Sequence, residues 1–322
     1  MKELVAAVLL AALMLPFGAA AKDIAVPGDA ATLEDAVQSL ADGDRIVLGP
    51  GEYGAGLVIP EGIGFSLIGR DGAESTVIRP SDPAMNTVVA YGGGAARIEG
   101  ITFDMSEAKG LFAVLLADRE VALRDCRFLG GAGVRIDSCE GVLEGNSFEG
   151  CFDGIRIANS PLRIDGNHFS DSEQYDITCR ASTAEIVRNR FVNTGNACIV
   201  IVGKRYHPTV GGAPGKGNVF LGSQYLVVAN QSRNEIDARY NFWGPVLTST
   251  MNRLGYPANL DEIQDYWDSD NLAAGKVDYR NWLQSEDDRG GFPILQAVLL
   301  AAVLAVLLFL LFRLVRRRRA AA

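Results

Sequence analysis

The sequence predicts an all-β solenoid, a long coil of short strands in which each turn stacks on the one before it. Three observations carry this reading. The triplet Asn-x-aromatic recurs at Asn146/Phe148, Asn167/Phe169, Asn189/Phe191, Asn218/Phe220 and Asn241/Trp243, and Ile101 and Cys126 hold the Asn place before Phe103 and Phe128. The aromatic positions step by 25, 20, 21, 22, 29 and 23 residues, a period at which one repeat cannot bury its apolar face without its neighbours. After each triplet comes an alternating stretch, so Val134/Ile136, Ile155/Ile157, Ile177/Cys179, Ile199/Ile201 and Leu226/Val228 are expected to point inward. Thirty-six glycines, two histidines and 48% hydrophobic residues suit a turn-rich β domain with an ample core.

From the N-terminus, residues 1–21 carry Lys2, an apolar run from Leu4 to Leu15 and the small residues Ala19, Ala20 and Ala21, the pattern of a secretory signal peptide. Strands are expected at Asp23–Val26 and Arg45–Leu48. Between them Thr32 to Leu40 reads as a helix, with Thr32 and Asp35 as a capping-box variant and Leu33, Ala36, Val37 and Leu40 on one stripe, placed to cap the first coil. In the coils the Asn side chains are expected at bends, stacking on one another and satisfying bend backbone groups. His168, inside a triplet, is expected to face solvent away from any groove. The five cysteines, Cys126, Cys139, Cys151, Cys179 and Cys198, map to five different slots, Cys198 outward, so no pair comes within disulfide reach of about 7 Å. The acidic stretch Asp261–Asp270 lacks the glycine and remaining ligands of an EF-hand, and reads as a helical cap with Ile263, Tyr266 and Trp267. Asn230-Gln231-Ser232 fits a glycosylation sequon.

The β domain is thus bounded at 22–284, with a linker at 285–293, a transmembrane helix at 294–312 and a basic cytoplasmic tail at 313–322. Arg313 and Arg316 to Arg319 place that tail inside and the β domain outside the cytoplasm, anchored by one span in the cell membrane. A cleavable sorting signal made of Gly290-Gly291, the apolar run and the arginines is the alternative. Removing the five tail arginines from a net charge of −9 leaves an outer domain at −14, which argues against nucleic acid as a partner.

The stretch ATLEDAVQSLADGDRIVLGPGEY (Ala31 to Tyr53), the following SLIGRDGAESTVI (Ser66 to Ile78) and the Asn-x-Phe coils resemble the right-handed parallel β-helix proteins of the pectin-lyase-like superfamily. Tyr240-Asn241-Phe242-Trp243-Gly244 and GKVDYRNWL (Gly275 to Leu283) are similar to the closing coils of NosD-like periplasmic proteins. The resemblance spans residues 22–284 and implies a right-handed parallel β-helix. It is weak for activity, because the superfamily holds lyases, hydrolases, epimerases and binding proteins alike.

Candidate chemistry falls on the outward positions of the alternating strands: Arg135, Asp137, Arg156, Asp176, Thr178 and Arg180. The 29-residue step is read as an insertion, Gly203–Gly217, whose Lys204, Arg205, Tyr206 and His207 would wall a groove. Such a groove suits an extended carbohydrate polymer. The lyase chemistry that the resemblance implies would place Ca²⁺ on Asp137 and Asp176 and use Arg156 or Arg180 as the base. Arg135, Thr178, Lys204, Arg205, Tyr206 and His207 would then contact substrate. A hydrolase would need two carboxylates at a set separation. Alternating Arg and Asp also simply stabilises a soluble sheet, and the rival reading is a non-catalytic accessory or scaffold protein whose partner is an envelope protein.

Overall fold

The computed structural model describes residues 21–204, 206–268 and 274–290. The chain winds through three parallel sheets in a fixed order. Sheet 1 has nine strands, from Asp23–Val26 to Thr209–Val210; sheet 2 has eight, from Gly51–Ala55 to Val219–Ser223; sheet 3 has nine, from Leu57–Ile59 to Ile263–Gln264. One full coil is Glu140–Glu144, Ser147–Glu149 and Asp153–Ala158, each strand pairing in parallel with its counterpart about 20 residues on.

Two ladders run along the axis, one inside the strands of sheet 2 and one at the bend between sheets 1 and 2. Phe103, Phe128, Phe148, Phe169, Phe191, Phe220 and Trp243 stack with ring centroids 5.3, 4.7, 4.9, 5.0, 4.9 and 5.1 Å apart. That spacing is the strand spacing of about 4.8 Å, so each coil contributes one ring. Beside it, Asn146 Nδ2 donates to Asn167 Oδ1 at 2.9 Å, and the chain of amides continues through Asn189 and Asn218 to Asn241. Each amide also donates to a carbonyl of the sheet 1 strand in the preceding coil, from Leu123 to Val210, and accepts a backbone N–H from that coil, that of Cys126 at Asn146 and that of the preceding Asn at the other four. The Asn residues are buried and serve the bend.

On the inner side of sheet 3 the registers are Val134–Ile155–Ile177–Ile199–Val228 and Ile136–Ile157–Cys179–Ile201–Asn230. The expected Leu226/Val228 pair is therefore shifted by two residues. Leu226 pairs with Ala197, and Asn230 takes the place opposite Ile201. A polar residue closes this ladder, which apolar alternation does not reveal: Asn230 Nδ2 donates to Asn234 O and Gly275 O. At 1% exposure the sequon asparagine is closed to glycosylation in the folded chain.

Helix α1 spans Leu33–Gln38, with Thr32 Oγ1 accepting from the Asp35 N–H at 3.1 Å and Leu33, Ala36 and Val37 buried. It lies against Gly51–Ala55 and Leu57–Ile59, the first strands of sheets 2 and 3. Near the other end the helix is not where the acidic stretch suggested. Helix α2 spans Gly244–Leu254 and packs Leu247 and Met251 beneath it, opening with Pro245 in its first turn, where a missing N–H costs nothing. Ile263 instead sits in a strand paired with Val228, Tyr266–Asp268 is a single 3₁₀ turn, and Trp267 is exposed. All five cysteines are buried and unpaired; Cys198, expected outward, is inside. The stretch read as a linker begins with a 3₁₀ turn at Glu286–Gly290, tied to the solenoid by the ion pair of Glu286 with Arg190. Among the described residues no helix is long and apolar enough to cross a membrane. The signal segment to residue 20, the span at 294–312 and the tail at 313–322 lie outside those residues.

Candidate functional site

The outward face of sheet 3 carries two registered rows. One reads Val58, Val89, Leu115, Arg135, Arg156, Thr178, Val200, Ala229 and Gln264; the other reads Tyr91, Ala117, Asp137, Ala158, Arg180 and Val202. Arg135, Asp137, Arg156, Tyr175, Thr178 and Arg180 line an open groove of 580 Å³ on this face. Five of the six outward residues expected from the sequence therefore meet.

Asp176 does not. The six coils from Phe112–Ala117 to Leu226–Asn230 take an extra inward residue just before the apolar pair, in a slot held by Ala113, Gly133, Gly154, Asp176, Cys198 and Val227. The slot faces the aromatic ladder: a Cβ on Gly154 would lie 3.0 Å from Phe169 Cδ1. Alternation counted back from Ile177 places Asp176 outside, but the kink turns it in, and it is fully buried. Its Oδ2 accepts from Thr194 Oγ1, which also lies 3.2 Å from Cys198 Sγ. Burial pushes this carboxyl up to about 7, the hydroxyl and thiol neighbours pulling the other way. Asp137 is on the opposite side of the sheet, accepting from Ser138 Oγ and Asn159 Nδ2. The expected Ca²⁺ pair, Asp137 and Asp176, is thus not assembled, and among the described residues no group of three His, Cys, Asp or Glu side chains is placed to hold a metal.

Arg156 is also less free than expected of a base. Its guanidinium lies 5.5 Å from the Phe112 ring centroid and pairs with Asp153. Asp153 is 2% exposed; burial raises its carboxyl pKa and Arg156 opposes that rise.

The segment 203–217 is not a wall of this groove. It contains Thr209–Val210, the ninth strand of sheet 1, so most of the extra length is ordinary coil. Tyr206 is exposed, His207 is half-buried, and Arg205 lies outside the described residues. Lys204 lines a second depression with Arg233, Gln264, Asp265 and Asp268, none of the last four anticipated from the sequence. The two depressions share Val202 and Gln231 and form one furrow along the solenoid. His168 is half-buried on another sheet, and burial beside Arg190 lowers its pKa.

The model of the right handed beta helix region matches residues 86–241, the coils that carry the groove. The chain is a right-handed parallel β-helix protein. No curated protein matches it. The β-helix supplies a rigid ruled surface and says nothing by itself about activity, so the charges must be weighed directly. On the other faces of the β-helix Arg97, Arg124, Arg163, Arg188, Arg190, Arg239 and Arg280 all pair with carboxylates. Among the described residues Arg135, Arg180, Lys204 and Arg233 have no carboxylate within 4.0 Å. All four line the furrow.

Proposed function

We propose that this protein binds an extended anionic carbohydrate polymer along the outward furrow of sheet 3. The observation that carries the reading is the row of uncompensated cations, Arg135, Arg180, Lys204 and Arg233, on a domain whose formal charge is −14 once the tail arginines are set aside. Among the described residues Lys109 and Arg253 also lack a carboxylate within 4.0 Å and lie elsewhere on the surface, but the furrow gathers four such cations, and a polyuronate offers carboxylates at regular intervals for charge-assisted hydrogen bonds. From the Arg135 row to the Gln264 row the furrow crosses five coil steps, about 24 Å at 4.8 Å per step, a length suited to an extended chain and not to a small molecule. The resemblance to pectin-lyase-like proteins supports a carbohydrate ligand, and that of the closing coils to NosD-like proteins supports the rival, an accessory protein of the envelope.

Binding is favoured over cleavage. Of the carboxylates lining the furrow, Asp137 stands apart, Asp265 accepts the Trp267 and Val277 N–H groups and Asp268 the Asp265 N–H, an arrangement that supports neither a free pair for hydrolysis nor a Ca²⁺ cage for elimination. The apolar run 294–312 followed by Arg316 to Arg319 supports a single-pass anchor that holds the β-helix outside the cytoplasm. The test is calorimetric titration with polygalacturonate, alginate and a neutral glucan, with ultraviolet absorbance followed in parallel for an unsaturated uronate. Saturable, salt-weakened binding of a polyuronate, lost in the Arg180→Gln/Lys204→Gln double variant, is expected. Absence of binding to every polyuronate overturns the reading, and a rising absorbance replaces it with a lyase.

A further inference from the structure

The first coils of the same face are not polar. Val58, Val89 and Leu115 stand in register, with Val58 62% exposed, and Tyr91 on the neighbouring row is 49% exposed. Met85 joins them beside Gly56. Scattered exposed hydrophobic residues are ordinary, but a contiguous flat strip on a sheet face marks a surface that something covers. The two ends of the strip differ in charge. On its C-terminal side stands Arg135, with no carboxylate in reach among the described residues. On its N-terminal side lies Glu34 of α1, whose Oε1 accepts from the Gly56 N–H at 3.4 Å.

Along the solenoid axis the order is acid, Val58, Val89, Leu115, base. We propose that this strip is an isologous interface, through which a second copy of the chain packs face to face, rotated by half a turn about an axis through Val89. In that arrangement each Val89 meets the other copy's Val89, each Leu115 meets the other copy's Val58, and each Arg135 meets the other copy's Glu34. A patch that is apolar in the middle and oppositely charged at its ends is complementary to itself only in this antiparallel sense. Aliphatic, β-branched side chains on a flat face also suit sheet-on-sheet packing at about 10 Å, and a polyuronate offers nothing to cover them. Leu57–Ile59 is the first strand of sheet 3, so the overlap ends at Arg135 and leaves Arg156, Arg180, Lys204 and Arg233 open. Arg135 is thus shared: the dimer takes it up against Glu34 of the other copy and leaves the polymer the remaining cations, so loss of polymer binding in the Arg180→Gln/Lys204→Gln variant should leave the dimer intact.

The experiment is cross-linking of the full chain with a short bis-maleimide. Val89 sits on the axis, so Val89→Cys should give a dimer-sized species on a reducing gel. Val246→Cys, exposed on α2, and the wild type with its five buried cysteines should not. In the Val89→Cys background, Arg135→Glu should lower the dimer to the Val246→Cys level, and adding Glu34→Arg should restore it. The rescue separates lost complementarity from simple misfolding. Cross-linking at Val89 no greater than at Val246, or failure of the charge reversal to restore it, overturns the proposal.

Discussion

Thr194 Oγ1 donates a hydrogen bond to Asp176 Oδ2 inside the solenoid, where both side chains are fully buried. Burial raises the Asp176 carboxyl to about 7, against about 3.9 for a free aspartate. The folded chain therefore holds this proton more tightly than the unfolded chain. Its contribution to stability is complete below about pH 4 and is lost as pH rises to about 7. Across that window the loss amounts to roughly 4 kcal/mol. Urea unfolding at about pH 5 and about pH 8 should show the wild type losing roughly 2.5–3 kcal/mol, the part of that window that lies above pH 5, and Asp176→Asn losing much less. An equal loss in Asp176→Asn would mean that another group, such as the buried Asp265, whose pKa is also raised by burial, governs the slope.

The amide ladder predicts a second outcome. Asn189 Oδ1 accepts from Asn167 N and Nδ2, while its Nδ2 donates to Ile164 O and Asn218 Oδ1. Asn189→Ala leaves a buried N–H and a buried carbonyl without partners, each costing about 1–3 kcal/mol. A loss of about 3–5 kcal/mol in urea unfolding is expected. A loss of less than about 1 kcal/mol would show that the bend satisfies itself without the ladder.

The inward slot that holds Asp176 predicts a steric effect one coil earlier. A Cβ on Gly154 would lie 2.6 Å from Asp176 O and 3.0 Å from Phe169 Cδ1. Gly154→Ala should cost about 1–3 kcal/mol through overpacking, although Ala113 fills the same slot two coils away without difficulty. Equal stability of Gly154→Ala and wild type by thermal unfolding would show that the coils slide apart at no cost.

Which features are legible in the sequence follows from how each is built. The aromatic and amide ladders repeat one residue type per coil, so their period survives in plain text. Alternation places Arg135, Thr178 and Arg180 correctly because they follow the kink, where it is strict. It misplaces Asp176 because the kink consumes one residue per coil, and the small residues Ala113, Gly133 and Gly154 in the slot before it are the available clue. Arg233, Gln264, Asp265 and Asp268 reach the furrow from coils whose register is set by Asn230 and by the strand Ile263–Gln264, neither of which follows the apolar pattern. Helix α2 announces itself only through Gly244-Pro245, a weak signal beside the acidic stretch that follows.

Arg156 and Arg180 line one groove but differ in what they hold. Arg180 is exposed and free of carboxylates, so Arg180→Gln should leave stability within about 0.5 kcal/mol of wild type while weakening polyuronate binding and reducing its salt dependence. Arg156 neutralises Asp153, which is 2% exposed. Arg156→Gln leaves that carboxylate buried and unpaired, at a cost of about 3–5 kcal/mol. Because burial already raises the Asp153 pKa and Arg156 is what restrains it, the variant's carboxyl should titrate higher still, and its destabilisation should shrink on acidification as the group becomes neutral. The Asp153→Asn/Arg156→Gln double variant should recover most of the loss, since it removes the stranded charge. Urea unfolding of the two single variants and the double variant across about two pH units measures this. A destabilisation in Arg156→Gln that the double variant does not relieve would place the role of Arg156 in its contact with Phe112 and not in the ion pair.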